Sequence, residues 1–190
     1  MDELGAHYLD DVRLQMQKLK RQADAALAQM RADDFFRAPD PESNSAALLV
    51  KHLSGNMRSR WTRFLETDGE KPDRNRDSEF ERESGDTRDA ALARWEDGWS
   101  RLFAALDALG PADLRRTVRI RGEAHSVLQA IDRQMTHYAA HVGQIVYVAK
   151  QFAGARWRSL SIPRGASNRL DVSRTGEKYA PPGDGEARVR

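Results

Sequence analysis

Two histidines in the last third of the chain have a spacing that suits metal binding. His137 and His141 are four residues apart within a long segment of periodic apolar residues. On a helix, side chains at positions i and i+4 are neighbours, about 5–6 Å apart at Cβ, so two imidazoles can reach one metal ion. Such pairs also occur by chance, so the spacing alone leaves two surface histidines as an alternative.

A third histidine, His52, lies in a separate apolar-periodic segment beside Leu49 and Leu53. If the two segments pack together, three imidazoles can surround one ion. Three protein ligands leave a coordination position for water or substrate, which is typical of catalytic rather than structural metal sites. The alternative for a single histidine of this kind is an ordinary polar residue at the edge of the core.

The composition restricts the chemistry that such a site can perform. The chain has 190 residues and no cysteine, which excludes disulfides, thiolate nucleophiles and cysteine-ligated metals. Any thiol chemistry must therefore use a thiol from another molecule. The formal net charge is only +2, so no global basic field favours nucleic acid, and we expect no nucleic-acid partner.

The chain has the composition of one soluble globular domain. Apolar residues make up 39% of it and charged residues 32%, without an uninterrupted apolar run of membrane-spanning length. The first residues, MDELGAHYLDDV, lack the basic and apolar regions of a signal peptide. We therefore expect a cytoplasmic protein that has no membrane partner.

Four amphipathic segments are predicted to position the histidines, and the first two precede a charge-dense connection. The first predicted helix covers residues 4–30, with apolar residues at steps of three and four, and ends before a proline-containing turn. The second begins after N-cap candidates at 43–45 and carries His52. We expect it to end near Gly69, which can serve as a left-handed cap.

The last two predicted helices flank a short strand or hairpin. The third helix covers 87–109, and alternating residues at 117–126 predict the hairpin. The fourth, 127–152, has the clearest apolar stripe in the chain. At 100° per residue, His137 and His141 fall roughly 80–120° to one side of that stripe, at the edge of the core. The pattern predicts an all-α fold, a four-helix bundle with a short β-hairpin before its last helix.

Two polar segments lie outside this pattern. Residues 70–86, EKPDRNRDSEFERESGD, predict a long exposed connection with a short helical turn. Loops of this length are often functional, but a solvated crossover linker is the alternative. Residues 173–190 are polar and rich in Gly and Pro, so we predict a disordered tail after a domain at 1–172.

Several further side chains are candidates for supporting roles. Residues one turn from a histidine could orient an imidazole, or could simply be polar residues on a helix flank: Ser45, Asn56, Gln134 and Gln144. Arginines could clamp a carboxylate or phosphate, although ion pairs with nearby acids are the simpler explanation: Arg58, Arg60, Arg74, Arg76 and Arg164. Two histidines are expected outside the metal set: His7 on the surface, and His125 in a structural or exposed position. Trp95 and Trp99 are expected in the core or at a dimer interface.

Four motifs in a fixed order carry a resemblance to a known superfamily. They are KHLSGN (51–56), RNRDSEF (74–80), HYAAHVGQI (137–145) and LSIPRG (160–165). Together they resemble the DinB/YfiT-like superfamily, and more narrowly one of its bacterial branches of domains of unknown function. The resemblance covers roughly residues 1–170.

The resemblance implies both an architecture and a site. The architecture is an up-down-down-up four-helix bundle, often a homodimer. The superfamily's metal-binding histidine triad falls on His52, His137 and His141, and the implied ion is divalent, with zinc or nickel the best candidates. Whether the 70–86 connection or the segment around Arg164 contributes to the site stays open.

The resemblance also implies an activity class. Characterised members of the superfamily include thiol-dependent S-transferases and a mycothiol-dependent isomerase, in which the metal is thought to activate a low-molecular-weight thiol. The expected function is therefore a divalent-metal-dependent enzyme, a thiol S-transferase that acts on an electrophilic small molecule. The alternative is a non-enzymatic, dimeric metal-binding protein of the stress response, because a fold does not fix a function.

Overall fold

The computed structural model describes residues 2–169 and divides the chain into two compact units, Met1–Trp157 and Arg158–Arg190. The first unit contains the long helices and the three histidines of the predicted metal site. The described part of the second unit contains a short 3-10 helix, Ser167–Arg169. The domain boundary predicted at 172 and the tail predicted at 173–190 lie outside the described residues.

The first unit is mostly helical, which confirms the predicted class. Its elements are α1 (Glu3–Leu27), α2 (Ala32–Phe35), α3 (Ala46–Trp61), α4 (Arg88–Asp107), β1 (Thr117–Ile120), β2 (Glu123–Ser126) and α5 (Val127–Ala153). Two 3-10 helices, Asp77–Phe80 and Pro111–Arg115, lie in the connections between them, and a third, Gly154–Arg156, follows α5. Among the described residues, no helix is both long and apolar enough to cross a membrane.

Each long helix begins at a residue whose side-chain oxygen accepts a hydrogen bond from a backbone N–H in the first turn. The four capping residues are Asp2, Ser45, Thr87 and Ser126, with distances of 3.0–3.3 Å. A cap of this kind contributes about 1 kcal/mol, because the first N–H groups of a helix lack partners within it. Ser45 is one of the three N-cap candidates predicted at 43–45, and Thr87 is the first residue of the predicted third helix.

The end of α3 differs from the prediction. The helix ends at Trp61 rather than near Gly69, and Arg63 rather than Gly69 takes a left-handed conformation, with φ of 50°. Gly69 is engaged elsewhere, since its N–H donates to the Arg119 carbonyl at 2.7 Å and its carbonyl accepts from Ser59 Oγ at 2.8 Å. These contacts tie the chain that follows α3 to the hairpin.

The predicted hairpin is confirmed. β1 and β2 pair in antiparallel register, and their two-residue turn has positive φ at both Arg121 (57°) and Gly122 (78°), as a type I′ turn requires. The carboxylate of Asp68 accepts from the N–H groups of both turn residues, at 2.8 and 2.7 Å. The hairpin is thereby fixed to the residues that follow α3.

The core lies between two helix pairs. α1 packs mainly against α5 and α3 mainly against α4, and α3 also contacts α5. The buried Trp95 and Trp99 of α4 have ring centroids 5.5 Å apart, and Trp99 lies 6.0 Å from Tyr138 of α5. The tryptophan pair therefore belongs to the core. The contact between α3 and α5 brings the helix that carries His52 beside the helix that carries the other two histidines.

Candidate metal site

The three predicted ligands converge between α3 and α5. His52 is buried, whereas His137 and His141 are partly buried at the edge of the core, as predicted. One potential ligand atom from each residue lies within 4.8 Å of the others, and His52 Nε2 is 3.2 Å from His137 Nε2. Tetrahedral zinc with bonds of about 2.0–2.1 Å has ligand nitrogens about 3.3 Å apart, so this separation suits a shared ion.

Hydrogen bonds orient two of the three rings. His52 Nδ1 lies 2.9 Å from Glu79 Oε2, and His141 Nδ1 lies 2.7 Å from Gln144 Oε1. Both oxygens are acceptors, so each Nδ1 carries a hydrogen, and in the neutral form of each ring the lone pair lies on Nε2. An imidazole that donates from one nitrogen and ligates through the other is the usual arrangement at metal sites.

The protonation state of the cluster also favours a cation. Burial, together with the neighbouring His141 and His52, lowers the pKa of His137 to about 3. Burial also lowers the pKa of His141, and this effect outweighs the opposite effect of its bond to Gln144. His137 Nδ1 is buried and has no hydrogen-bond partner among the described residues. Because only neutral imidazoles bind metals, this donor set fits a divalent ion such as zinc or nickel.

A carboxylate that the sequence interpretation missed completes the site. Glu79, on the 3-10 helix Asp77–Phe80, contacts both His52 and Arg74, and the two Arg74 hydrogen bonds are each 2.8 Å long. Burial alone would raise the pKa of Glu79. The bond from His52 and the charge of Arg74 lower the pKa by more than burial raises it, so the pKa lies below the ordinary value. The 70–86 connection is therefore not simply the exposed linker that was expected, although its predicted helical turn is present.

The reason for this omission lies in the pattern of the connection. Acids and arginines alternate there without helical or strand periodicity, so no face of it could be assigned to the interior. Phe80 was the available signal, as an aromatic residue within a polar run. Its ring packs against His52, with centroids 4.7 Å apart.

The polar residues predicted to flank the histidines have different roles. Gln144 orients His141, as expected. Asn56 instead accepts from the Tyr138 hydroxyl at 3.0 Å, and Ser45 caps α3. Gln134 is buried, and its Oε1 has no partner among the described residues. Of the four candidates, Gln144 alone has a described bond to the cluster.

The arginines of α3 and the connection form ion pairs rather than a free anion clamp. Arg58 pairs with Asp73 at 2.7 Å on the surface, whereas Arg60 is buried and pairs with Glu70 at 2.9 Å. Arg76 is exposed, and its guanidinium lies 5.1 Å from the Phe80 ring centroid. Arg74 pairs with Glu79 and Glu70, and Arg76 lies 3.9 Å from Asp77, so the ion-pair interpretation is confirmed for all four of these arginines.

The other two histidines of the described residues lie outside the cluster. His7 is exposed, as predicted. His125 lies on β2, where Nδ1 contacts the Glu123 carbonyl at 3.1 Å and Nε2 contacts Arg133 at 3.0 Å, so its role is structural. Arg164 belongs to the second unit.

Alanine substitution is expected to change the free energy of unfolding in opposite directions at Gly55 and at Gly143. Gly→Ala inside a helix ordinarily stabilises by about 0.5–1 kcal/mol. A Cβ at Gly55 would overlap the Glu79 carboxylate, whereas a Cβ at Gly143 has nothing within 4 Å. We expect Gly55→Ala to lower the free energy of unfolding and Gly143→Ala to raise it, as measured by urea denaturation of the metal-free proteins. Equal stabilisation by both changes would contradict the close approach of Glu79 to α3.

Comparison with known proteins adds a family but no activity. A family model described as "Protein of unknown function (DUF1572)" matches residues 3–166. No curated protein and no solved structure gives a significant match. The match includes all three histidines and the connection that carries Glu79, so the candidate site lies entirely within the matched region.

Proposed function

Because this chain belongs to the DUF1572 family, whose description names no activity, we propose its function from the site itself: it binds one divalent metal ion through His52, His137 and His141. The observation that carries the proposal is the convergence of three imidazoles whose potential ligand atoms lie within 4.8 Å of one another. Zinc and nickel are the ions that best suit imidazole ligands at such a site.

We further propose that the fold is an up-down-down-up four-helix bundle of the DinB-like superfamily. Four long helices, α1, α3, α4 and α5, build the core, and α1 packs on α5 while α3 packs on α4. A long connection joins α3 to α4, which a crossover between parallel neighbours requires. The four motifs that resemble the superfamily support the same assignment.

The activity that we propose is metal-dependent transfer of a low-molecular-weight thiol to an electrophilic small molecule. A divalent cation would supply Lewis acidity, which lowers the pKa of a thiol. The chain would supply the orientation: Glu79 and Gln144 hold two of the imidazoles, and Phe80 packs against the His52 ring. Three protein ligands leave room for a substrate, and the chain has no cysteine that could compete with an external thiol.

A second candidate is a non-enzymatic role in which the metal stabilises the fold. It is favoured by the position of the cluster, because an ion there would link α3 to α5. In this version the protein would act in a stress response through dimerisation. For both versions we propose a cytoplasmic homodimer.

The test is the metal content of untagged protein, followed by a thiol assay. Elemental mass spectrometry is expected to find about one equivalent of a divalent ion in the wild type and none in His52→Ala, because a site with three ligands loses most of its affinity with one of them. The loaded protein is then incubated with glutathione, mycothiol or bacillithiol and a chromogenic haloarene. Consumption of a thiol supports the enzyme, and metal without thiol binding or consumption supports the second candidate. Wild type that takes up no metal on titration contradicts both.

A further inference from the structure

The geometry points to Glu79 as a positioning residue that holds His52 in the tautomer with hydrogen on Nδ1, so that Nε2 is the atom offered to the metal. Neutral histidine can carry its hydrogen on either nitrogen, and the bond made by one nitrogen decides which form is present. The inference rests on the proposed metal-binding function, which it extends to a residue outside the histidine triad.

The contact between the two side chains is short and removed from water. Glu79 Oε2 lies 2.9 Å from His52 Nδ1, and the side chains are only 7% and 4% exposed. Water therefore does not compete for Nδ1, and a carboxylate can only accept there. The Phe80 ring packs at 4.7 Å from the His52 ring, with an angle of 31° between the planes, which restricts rotation of the imidazole.

Arg74 fixes the carboxylate in turn. Its Nε and Nη2 donate to the two oxygens of Glu79, each at 2.8 Å, and its side chain is 5% exposed. A two-bond contact of this kind sets the plane of the carboxylate as well as its position. Arg74 also contacts Glu70, which pairs with Arg60 of α3 at 2.9 Å and with Arg121 of the hairpin turn at 3.1 Å. Glu79 is thus held by a chain of charges that reaches two other elements.

The backbone of α3 is shaped to admit this carboxylate. Gly55 lies one turn after His52, and any side chain there would overlap Glu79. The sequence motif KHLSGN therefore combines a ligand with the space that its orienting partner occupies. A carboxylate needed only to attach the connection to α3 would not have to reach the ring nitrogen of His52.

The test compares Glu79→Gln with Glu70→Gln as a matched control. Both changes remove one carboxylate charge from the same chain of ion pairs, but the ion pairs described for Glu70 are with arginines and none is with His52. Zinc affinity is measured by competition with a chromophoric chelator. We expect Glu79→Gln to weaken binding by about 10–100-fold, the usual effect of losing a partner of a metal-ligating histidine. We expect a much smaller effect from Glu70→Gln, because Glu70 reaches His52 only through Arg74 and Glu79. Equal effects of the two changes would overturn the inference.

A second readout is decided by the metal-free wild-type protein, so it still tests the inference if a variant fails to fold. Long-range proton–nitrogen NMR correlations identify which nitrogen of His52 carries the hydrogen. We expect a single Nδ1–H form in the wild type and in Glu70→Gln, and loss of the single form in Glu79→Gln, because an amide presents a donor as well as an acceptor. An Nε2–H form or a mixture in the wild type would overturn the inference. Failure of the wild type to bind zinc would instead contradict the proposed function and leave this result intact.

Discussion

Replacing His137 by alanine is expected to abolish the thermal stabilisation that zinc gives to the wild-type protein. An ion that binds only the folded state adds about 4 kcal/mol when its concentration is about 1,000 times Kd. For a domain of this size, that corresponds to a rise in Tm of about 8–16 °C. His137 contributes the nitrogen that lies 3.2 Å from His52 Nε2, so its loss opens the site on one side. Calorimetry with and without excess zinc measures the difference.

His7→Ala is the control for this experiment. His7 is an exposed histidine of α1 and lies outside the cluster, so its replacement should preserve the full rise in Tm. A zinc-induced rise of equal size in His137→Ala and in the wild type would show that the ion binds elsewhere. Such a result would contradict the proposed ligand set even if the protein contained one equivalent of metal.

Replacing Arg74 by alanine is expected to lower the free energy of unfolding by about 3–5 kcal/mol, because it leaves a buried charge without its partner. Glu79 would retain only the bond from His52, at a position where its side chain is 7% exposed. Glu70 would lose one of its arginine partners as well. Urea denaturation of the metal-free protein measures this loss without any contribution from the ion.

Arg58→Ala provides the comparison for Arg74→Ala. Arg58 and Asp73 form an ion pair of 2.7 Å, but both side chains are 65% exposed. Exposed pairs contribute about 0–1 kcal/mol, so the loss of Arg58 should lower the free energy of unfolding by no more than about 1 kcal/mol. Similar effects of the two substitutions would mean that the Arg74–Glu79 pair does not behave as a buried pair.

The elements of the fold that depend on local sequence could be predicted. Ser45 is one of the N-cap candidates predicted at 43–45, and α5 ends at Ala153, one residue beyond its predicted range of 127–152. The edge position of His137 and His141 follows from helical periodicity alone. These features depend on residues within one or two turns of each other, so a window of the sequence contains the information.

The features that depend on tertiary contacts could not be predicted in the same way. The end of α3 at Trp61 is not marked in the sequence by glycine or proline, and Gly69 instead contacts Ser59 and Arg119 of β1. Glu79 and Arg74 lie in a connection without periodicity, where every acid has an arginine nearby and the sequence offers many equivalent pairings. Which pair is buried depends on where the connection meets α3. The structure shows that it meets α3 at Gly55, where the Glu79 carboxylate takes the space of a side chain.

The order of the residues along the chain has a consequence for how the site is assembled during synthesis. His52 and Glu79 are 27 residues apart, whereas His52 and His137 are 85 residues apart. Because the chain is made from its N-terminus, the first ligand and the carboxylate that orients it leave the ribosome well before α5 exists. A nascent chain can thus contain at most one of the three imidazoles until α5 is made. The complete set, and with it the proposed capacity to retain an ion, belongs to a chain whose last long helix has been synthesised.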